Sequence, residues 1–156
     1  MAAFVGKKEI MQLIAPSGKV YQAGTFSGNP VSVAAGLTTL KILQGKGVSF
    51  YEGMASKCQA IVNPLKRLAE ESKLKLRIVD IASMFQVFFT ASQVCDYKTV
   101  KTADSAKFLV YHAELLKKGV FVPPSQFETC FLSNAHSSTD LEKTVETMSS
   151  VICQLK

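Results

Sequence analysis

Residues 21–30 read YQAGTFSGNP, a loop that is expected to lead into a helix. Two glycines, which permit close backbone approach and positive φ, enclose two hydroxyl side chains: Gly24, Thr25, Ser27 and Gly28. Asn29 is a favourable helix N-cap and Pro30 suits the first helical position, so a helix is expected to begin here. Such a loop can bind a phosphate group. The same composition is equally typical of an ordinary loop followed by a capped helix.

Composition places the chain among folded, water-soluble proteins. It has 156 residues, of which 47% are apolar and 19% charged, enough for one domain or two small lobes. No apolar run approaches the roughly 20 residues that a membrane helix needs. No secretory signal pattern opens the sequence, which favours the cytoplasm.

The net charge of +6 does not point to nucleic acid. The densest basic group, between Lys66 and Arg77, is interleaved with acidic residues and lacks an aromatic or glycine motif. The four cysteines, which show no C-x-x-C spacing, are expected to be reduced, packed thiols: Cys58, Cys95, Cys130 and Cys153. No metal site is predicted.

Before residue 47 the sequence predicts few elements. They are the end of a strand over residues 2–5, a short helix over 7–14, and a helix from Pro30 to Leu43. Gly45-Lys46-Gly47 is the clearest hinge in the sequence.

After the hinge the periodicity predicts the order helix, strand, strand, helix, strand, strand, helix. The first helix covers residues 50–68, with a kink near Pro64. Strands are expected at 74–78, 84–90, 120–122 and 130–132, and a helix at 104–118. Residues 92–101 are expected to be irregular, and Thr139 with Glu142 predicts a capping box for the last helix. Paired strands with helices against them indicate an α/β chain whose C-terminal part is an α+β lobe with a mainly antiparallel sheet.

The sequence resembles the class III pyridoxal-phosphate-dependent aminotransferases. The loop at 21–30 is similar to the GT-x-SGNP segment of that family, and residues 124–128 (PSQFE) are similar to its aminomutase members. Further similar segments follow in the same order, at 6–11, 15–18, 83–85, 88–90, 131–133 and 135–136. The match spans nearly the whole chain but only the C-terminal part of such an enzyme.

The resemblance implies a fold of type I. Residues 1–45 would be the tail of the large, cofactor-binding domain, and residues 46–156 would be the small C-terminal domain. Gly24 and Thr25 would contact the phosphate of the pyridoxal phosphate in the neighbouring subunit of a homo-oligomer, expected to be a dimer. Ser125, Gln126 and Glu128 are candidates to line the cleft for a small amino acid substrate.

The resemblance also implies that the catalytic lysine lies upstream, so no catalytic residue is assigned in this chain and no turnover is expected from it alone. Lys7 and Lys8 do not match that lysine. Two other interpretations remain open at this point: part of another class III enzyme, such as an ω-amino acid transaminase, or a non-catalytic dimerisation module. His136 and His112 lack a nucleophile or acidic partner in sequence and are interpreted as structural.

Overall fold

The computed structural model describes residues 2–155. The chain divides into two compact units, which separate after Gly47. Gly47 lies inside α2 (Pro30–Glu71) and has φ 67° and ψ −176°, so the helical backbone breaks at this residue. This break lies within the glycine segment where the sequence predicts a hinge. The assignment of the two units to the large and small domains of an enzyme stays a prediction.

The first unit contains little regular structure apart from the N-terminal part of α2. It includes α1 (Lys8–Met11) and one isolated parallel bridge between Ile14 and Val20. No described residue before Val48 is buried. The strand predicted over residues 2–5 is not formed, because a strand requires a hydrogen-bonded neighbour. The helix predicted over 7–14 ends at Met11.

The second unit is a three-stranded antiparallel sheet packed by helices. It contains the C-terminal part of α2, β1 (Arg77–Ile81), β2 (Met84–Phe88), α3 (Tyr97–Val100), α4 (Ser105–Lys117), β3 (Cys130–Phe131) and α5 (Ser138–Gln154). The strand order is β1-β2-β3, with Ile78 opposite Val87 and Phe85 opposite Cys130. The predicted α/β class with a mainly antiparallel sheet is confirmed.

One hydrophobic core holds the second unit together. Apolar side chains of α2, the sheet, α4 and α5 meet in it, and the largest of those with under 2% exposure are Tyr111, Phe108, Ile61, Leu65, Leu115, Met148 and Ile152. The spacing of three and four residues along each helix places these side chains on one face. Phe89, which follows β2, and Tyr111 of α4 meet edge to face, with 5.4 Å between their ring centroids.

α2 continues through Pro64 without a break in its helical dihedrals, and the kink expected near this residue stays a prediction. Two local predictions are wrong. Residues 92–101 include α3, which Asp96 caps through the Thr99 amide at 2.8 Å. The capping box of α5 is formed by Ser137 and Asp140, two residues before the predicted pair.

The strand predicted over residues 120–122 is also absent. The Val120 amide donates to the Leu115 carbonyl at 2.9 Å, which completes the end of α4 after Gly119 (φ 81°). The Val122 carbonyl accepts a hydrogen bond from Nδ1 of His112 at 2.9 Å. The Val120 amide and the Val122 carbonyl are therefore hydrogen-bonded to residues of α4 and not to a neighbouring strand.

Candidate functional site

The loop before α2 keeps its shape through two tight backbone turns. The Ser27 amide donates to the Gly24 carbonyl at 2.9 Å, and the Asn29 amide donates to the Phe26 carbonyl at 3.1 Å. Gly28 has φ 71°, a value that favours glycine. At Gly24 a Cβ atom would lie 2.9 Å from Ser27 Oγ, so glycine also suits this position.

The helix after this loop begins as the sequence predicts. Asn29 Oδ1 accepts a hydrogen bond from the Ser32 amide at 3.1 Å, which is the N-cap interaction. Thr25 lies ahead of this cap and is exposed. Within residues 2–155, neither its amide nor its hydroxyl forms a hydrogen bond. Thr25 therefore offers two free donors close to the positive end of a helix dipole, and these groups fit a phosphate.

The second group of predicted site residues lies in the second unit, in a turn between α4 and β3. The Glu128 amide donates to the Ser125 carbonyl at 3.0 Å, and the Phe127 amide donates to Ser125 Oγ at 3.2 Å. Glu128 is exposed and Ser125 is half-buried. The Glu128 carboxylate is thus available to a ligand.

Gln126 points inward. Its side chain is 4% exposed, and its Nε2 donates to the Val100 carbonyl at 3.2 Å. Its Oε1 is buried and has no hydrogen-bond partner among the described residues. The side chain therefore joins the turn to the end of α3, whereas Ser125 and Glu128 remain at the surface. A role for the three residues in a substrate cleft stays a prediction.

Sequence reasoning missed Gln86, which lies beneath this turn. It belongs to β2 and is 6% exposed. Its Nε2 donates to the carbonyl oxygens of Ser125 and Glu128. A single polar residue in an apolar strand produces no periodic pattern, so only its unusual burial marks it.

Both histidines form hydrogen bonds within the second unit, and their interpretation as structural residues stays a prediction. His136 Nδ1 accepts a hydrogen bond from the Ser133 amide at 3.0 Å, within the turn that precedes α5. The His136 carbonyl accepts from Lys57 Nζ at 2.7 Å, which connects this turn to α2. Nδ1 of His112 donates a hydrogen bond to the Val122 carbonyl, as described above.

The four cysteines are free thiols. Cys58 Sγ donates to the Met84 carbonyl and Cys130 Sγ donates to Gln86 Oε1, each at 3.6 Å. Burial raises the pKa of Cys58, and it raises the pKa of Cys130 to about 12. Neither buried thiol is suited to nucleophilic catalysis at neutral pH.

Residues 2–155 contain no cluster of three or more histidine, cysteine or acidic side chains that could hold a metal ion. Over the same range, none of the helices has the length and apolar character needed to span a bilayer.

Comparison with known proteins gives the family. The sequence model of the aminotransferase class-III family matches residues 1–152. Among curated relatives, glutamate-1-semialdehyde 2,1-aminomutase of Methanothermobacter thermautotrophicus is 46% identical over 156 residues, which is 100% of this chain and 36% of the relative. The enzyme of the same name from Methanocaldococcus jannaschii is 43% identical over 151 residues, which is 97% of this chain and 35% of the relative. This chain therefore spans about a third of the length of these relatives.

Solved structures agree on the fold. A β-phenylalanine aminotransferase from Variovorax paradoxus matches with a TM-score of 0.79 and 22% identity, covering 96% of this chain and 34% of that one. A transaminase with bound pyridoxal phosphate matches with a TM-score of 0.75 and 18% identity, with the same two coverages. Because the family's sequence pattern covers almost the entire chain and the fold agrees with it, this protein belongs to the class III aminotransferase family.

Proposed function

We propose that this chain supplies the C-terminal third of a glutamate-1-semialdehyde 2,1-aminomutase, which moves an amino group between adjacent carbons and makes 5-aminolevulinate for tetrapyrrole synthesis. The observation that carries the proposal is the 46% identity over all 156 residues to a relative of that name. The PSQFE segment at 124–128 supports the aminomutase over an ω-amino acid transaminase of the same family.

The cofactor of the complete enzyme is pyridoxal 5′-phosphate. When bound, this group withdraws electrons from the substrate carbon that carries the amino group. We assign Gly24 and Thr25 to its phosphate, contacted from the neighbouring subunit. The free amide and hydroxyl of Thr25, next to the capped end of α2, are the observations that support this assignment.

The catalytic lysine of the family lies outside residues 1–156 in this proposal. The chain alone then has no turnover, and its contribution is to bind the phosphate and shape the substrate cleft. Ser125 and Glu128 present polar side chains at the surface of the turn, where they can orient a small amino acid. Gln126 is buried and its side chain donates to the Val100 carbonyl, so in this proposal it holds the turn that carries the other two residues.

A phosphate contact supplied to another subunit requires a homo-oligomer, and we propose a dimer. The exposed apolar side chains of the first unit, including Phe26, Val31 and Leu37, favour such association. No nucleic acid or membrane partner is proposed. We place the enzyme in the cytoplasm, or in the plastid for a plant protein.

The reaction can be tested by exchange of the matching region. The last third of the Methanothermobacter thermautotrophicus enzyme is replaced by residues 1–156 of this chain, and conversion of glutamate-1-semialdehyde to 5-aminolevulinate is measured. The same relative without any C-terminal third is the control, and we expect it to be inactive. A hybrid that retains cofactor but transfers amino groups only from ω-amino acids to keto acids would favour the transaminase instead.

The phosphate contact has a separate readout. Thr25→Ala in the hybrid should increase the loss of cofactor during gel filtration, because one charge-assisted contact disappears from every site. Thr38→Ala removes another exposed threonine of the first unit and is the matched control. Equal cofactor retention in the two variants would contradict the assignment of Thr25.

A further inference from the structure

Both the oxygen and the nitrogen of the buried Gln86 side-chain amide form hydrogen bonds, and the two atoms have different roles. Its Oε1 accepts from the Val87 amide at 3.1 Å and from Cys130 Sγ at 3.6 Å, both within the sheet. Its Nε2 donates to the Ser125 carbonyl at 3.3 Å and to the Glu128 carbonyl. The oxygen fixes the orientation of the amide, and the nitrogen then holds a segment outside the sheet.

The two carbonyls that converge on Nε2 belong to the first and last residues of one turn. Inside that turn the Glu128 amide already donates to the Ser125 carbonyl at 3.0 Å. A single buried NH₂ group therefore fixes both ends of the turn relative to β2. Because Gln86 is buried, its end of these bonds is shielded from water, and removal of the amide would leave the Val87 amide and the Cys130 thiol without their acceptor.

The position of the turn decides where the side chains of Ser125 and Glu128 lie. Neither side chain forms a hydrogen bond or ion pair outside the turn among the described residues, whereas the hydrogen bonds of Gln86 and Gln126 and the ring contact between Phe127 and Tyr97 connect the turn to the body of the unit. We infer that Gln86 is the positioning residue for Ser125 and Glu128, an inference that rests on their proposed place in the substrate cleft. Gln86 itself is buried beneath the turn and acts through it.

The first test uses the 156-residue chain and hydrogen exchange. Gln86→Met keeps the length of the side chain but removes both donors, so the Phe127 and Glu128 amides should exchange about tenfold faster. Amides of α5 should exchange at the wild-type rate. Gln59→Met is the matched control, since Gln59 donates to Asp80 at 2.6 Å and has no bond to the turn. Unchanged exchange at Phe127 and Glu128 in the Gln86 variant would overturn the inference.

A conservative variant gives a second, pH-dependent readout. In Gln86→Glu, a protonated carboxyl group can donate one hydrogen bond to the turn, whereas an ionised carboxylate would repel both carbonyls. After correction for intrinsic exchange rates, protection of Glu128 should be near wild type at low pH and lost at high pH. Protection that does not change with pH would count against a hydrogen-bonding role. This variant also decides the question if Gln86→Met does not fold.

The functional consequence is measured in the hybrid enzyme described above. Gln86→Met should lower kcat by about 10- to 100-fold, the range expected for a misplaced polar group, with a smaller change in KM. A hybrid that is inactive even without this substitution would contradict the proposed function, while the exchange data would still decide the role of Gln86. A hybrid whose kcat is unaffected by Gln86→Met would contradict the positioning role.

Discussion

Single residues in this chain connect elements that are distant in sequence, and Asp80 shows how. Its carboxylate accepts from Lys66 Nζ at 2.5 Å and from Gln59 Nε2 at 2.6 Å, so it joins β1 to α2. The Asp80 side chain is 14% exposed and that of Lys66 is 42% exposed. The hydrogen bond from Lys66 is the main reason that the pKa of Asp80 is lowered.

This lowered pKa predicts a dependence of stability on pH. A carboxyl group whose pKa is lower in the folded state stabilises the fold above its unfolded pKa, about 3.9, and that stabilisation disappears as the pH falls through the folded value. Asp80→Asn should therefore reduce the free energy of unfolding at pH 7 by about 1 kcal/mol or less, since Lys66 is partly screened by solvent. Urea unfolding at pH 7 and at pH 3 measures the difference, which should shrink at pH 3.

The matched control for Asp80 is Glu114, which pairs with Lys117 at 2.7 Å on the surface of α4. Glu114→Gln should leave stability within error, because the pair is exposed. A loss of stability in the Asp80 variant that was the same at both pH values would show that its charge is not responsible.

Also at the residue scale, the two halves of the candidate site differed in how far sequence could predict them. The loop at 24–29 could be predicted because glycine, threonine and an N-cap asparagine each have a local backbone role, and Asn29 is observed as the cap, accepting from the Ser32 amide. Gln86 and the inward side chain of Gln126 could not be predicted. Their partners, Ser125, Glu128 and Val100, are 26 to 42 residues away, and only the folded chain brings them together.

At the scale of elements, hydrophobic periodicity predicted the helices well and their ends less well. The buried positions of α5 are Leu141, Met148, Val151 and Ile152, which lie on one face of the helix. The cap was misplaced because residues 137–142 contain two overlapping patterns, Ser137 with Asp140 and Thr139 with Glu142. Both satisfy the capping-box spacing, and local sequence does not distinguish them.

The two patterns can be distinguished by experiment. Ser137 Oγ accepts from the Asp140 amide at 3.2 Å, so Ser137→Ala should lower the free energy of unfolding by about 1 kcal/mol. Thr139 lies within the first turn of α5, where alanine has the higher helix propensity, so Thr139→Ala should be neutral or slightly stabilising. Urea unfolding of the two variants decides between the caps. A larger loss for Thr139→Ala would contradict the observed cap.

At the scale of the whole molecule, burial is confined to one of the two units. Every buried side chain among residues 2–155 lies between Met54 and Ile152. The described residues of the first unit include large apolar side chains that are mostly exposed, such as Val5 at 92%, Tyr21 at 83% and Phe26 at 77%. The free energy that stabilises the fold thus comes from the second unit, while the apolar surface that favours association is concentrated in the first.

We therefore expect residues 48–156 to fold without the first 47 residues. The shortened chain should unfold cooperatively in urea at nearly the same midpoint as the full chain, because it retains the entire core. Sedimentation should show a self-associating full chain and a smaller species for residues 48–156. Limited proteolysis of the full chain should give the same boundary, with the first cut near Gly47, where the helical backbone is broken.

The second unit also exposes Phe121 and Phe131, so self-association that persisted unchanged after removal of residues 1–47 would place the interface there instead. A shortened chain that lacks a cooperative transition would show that the first unit contributes to stability in a way that burial does not reveal.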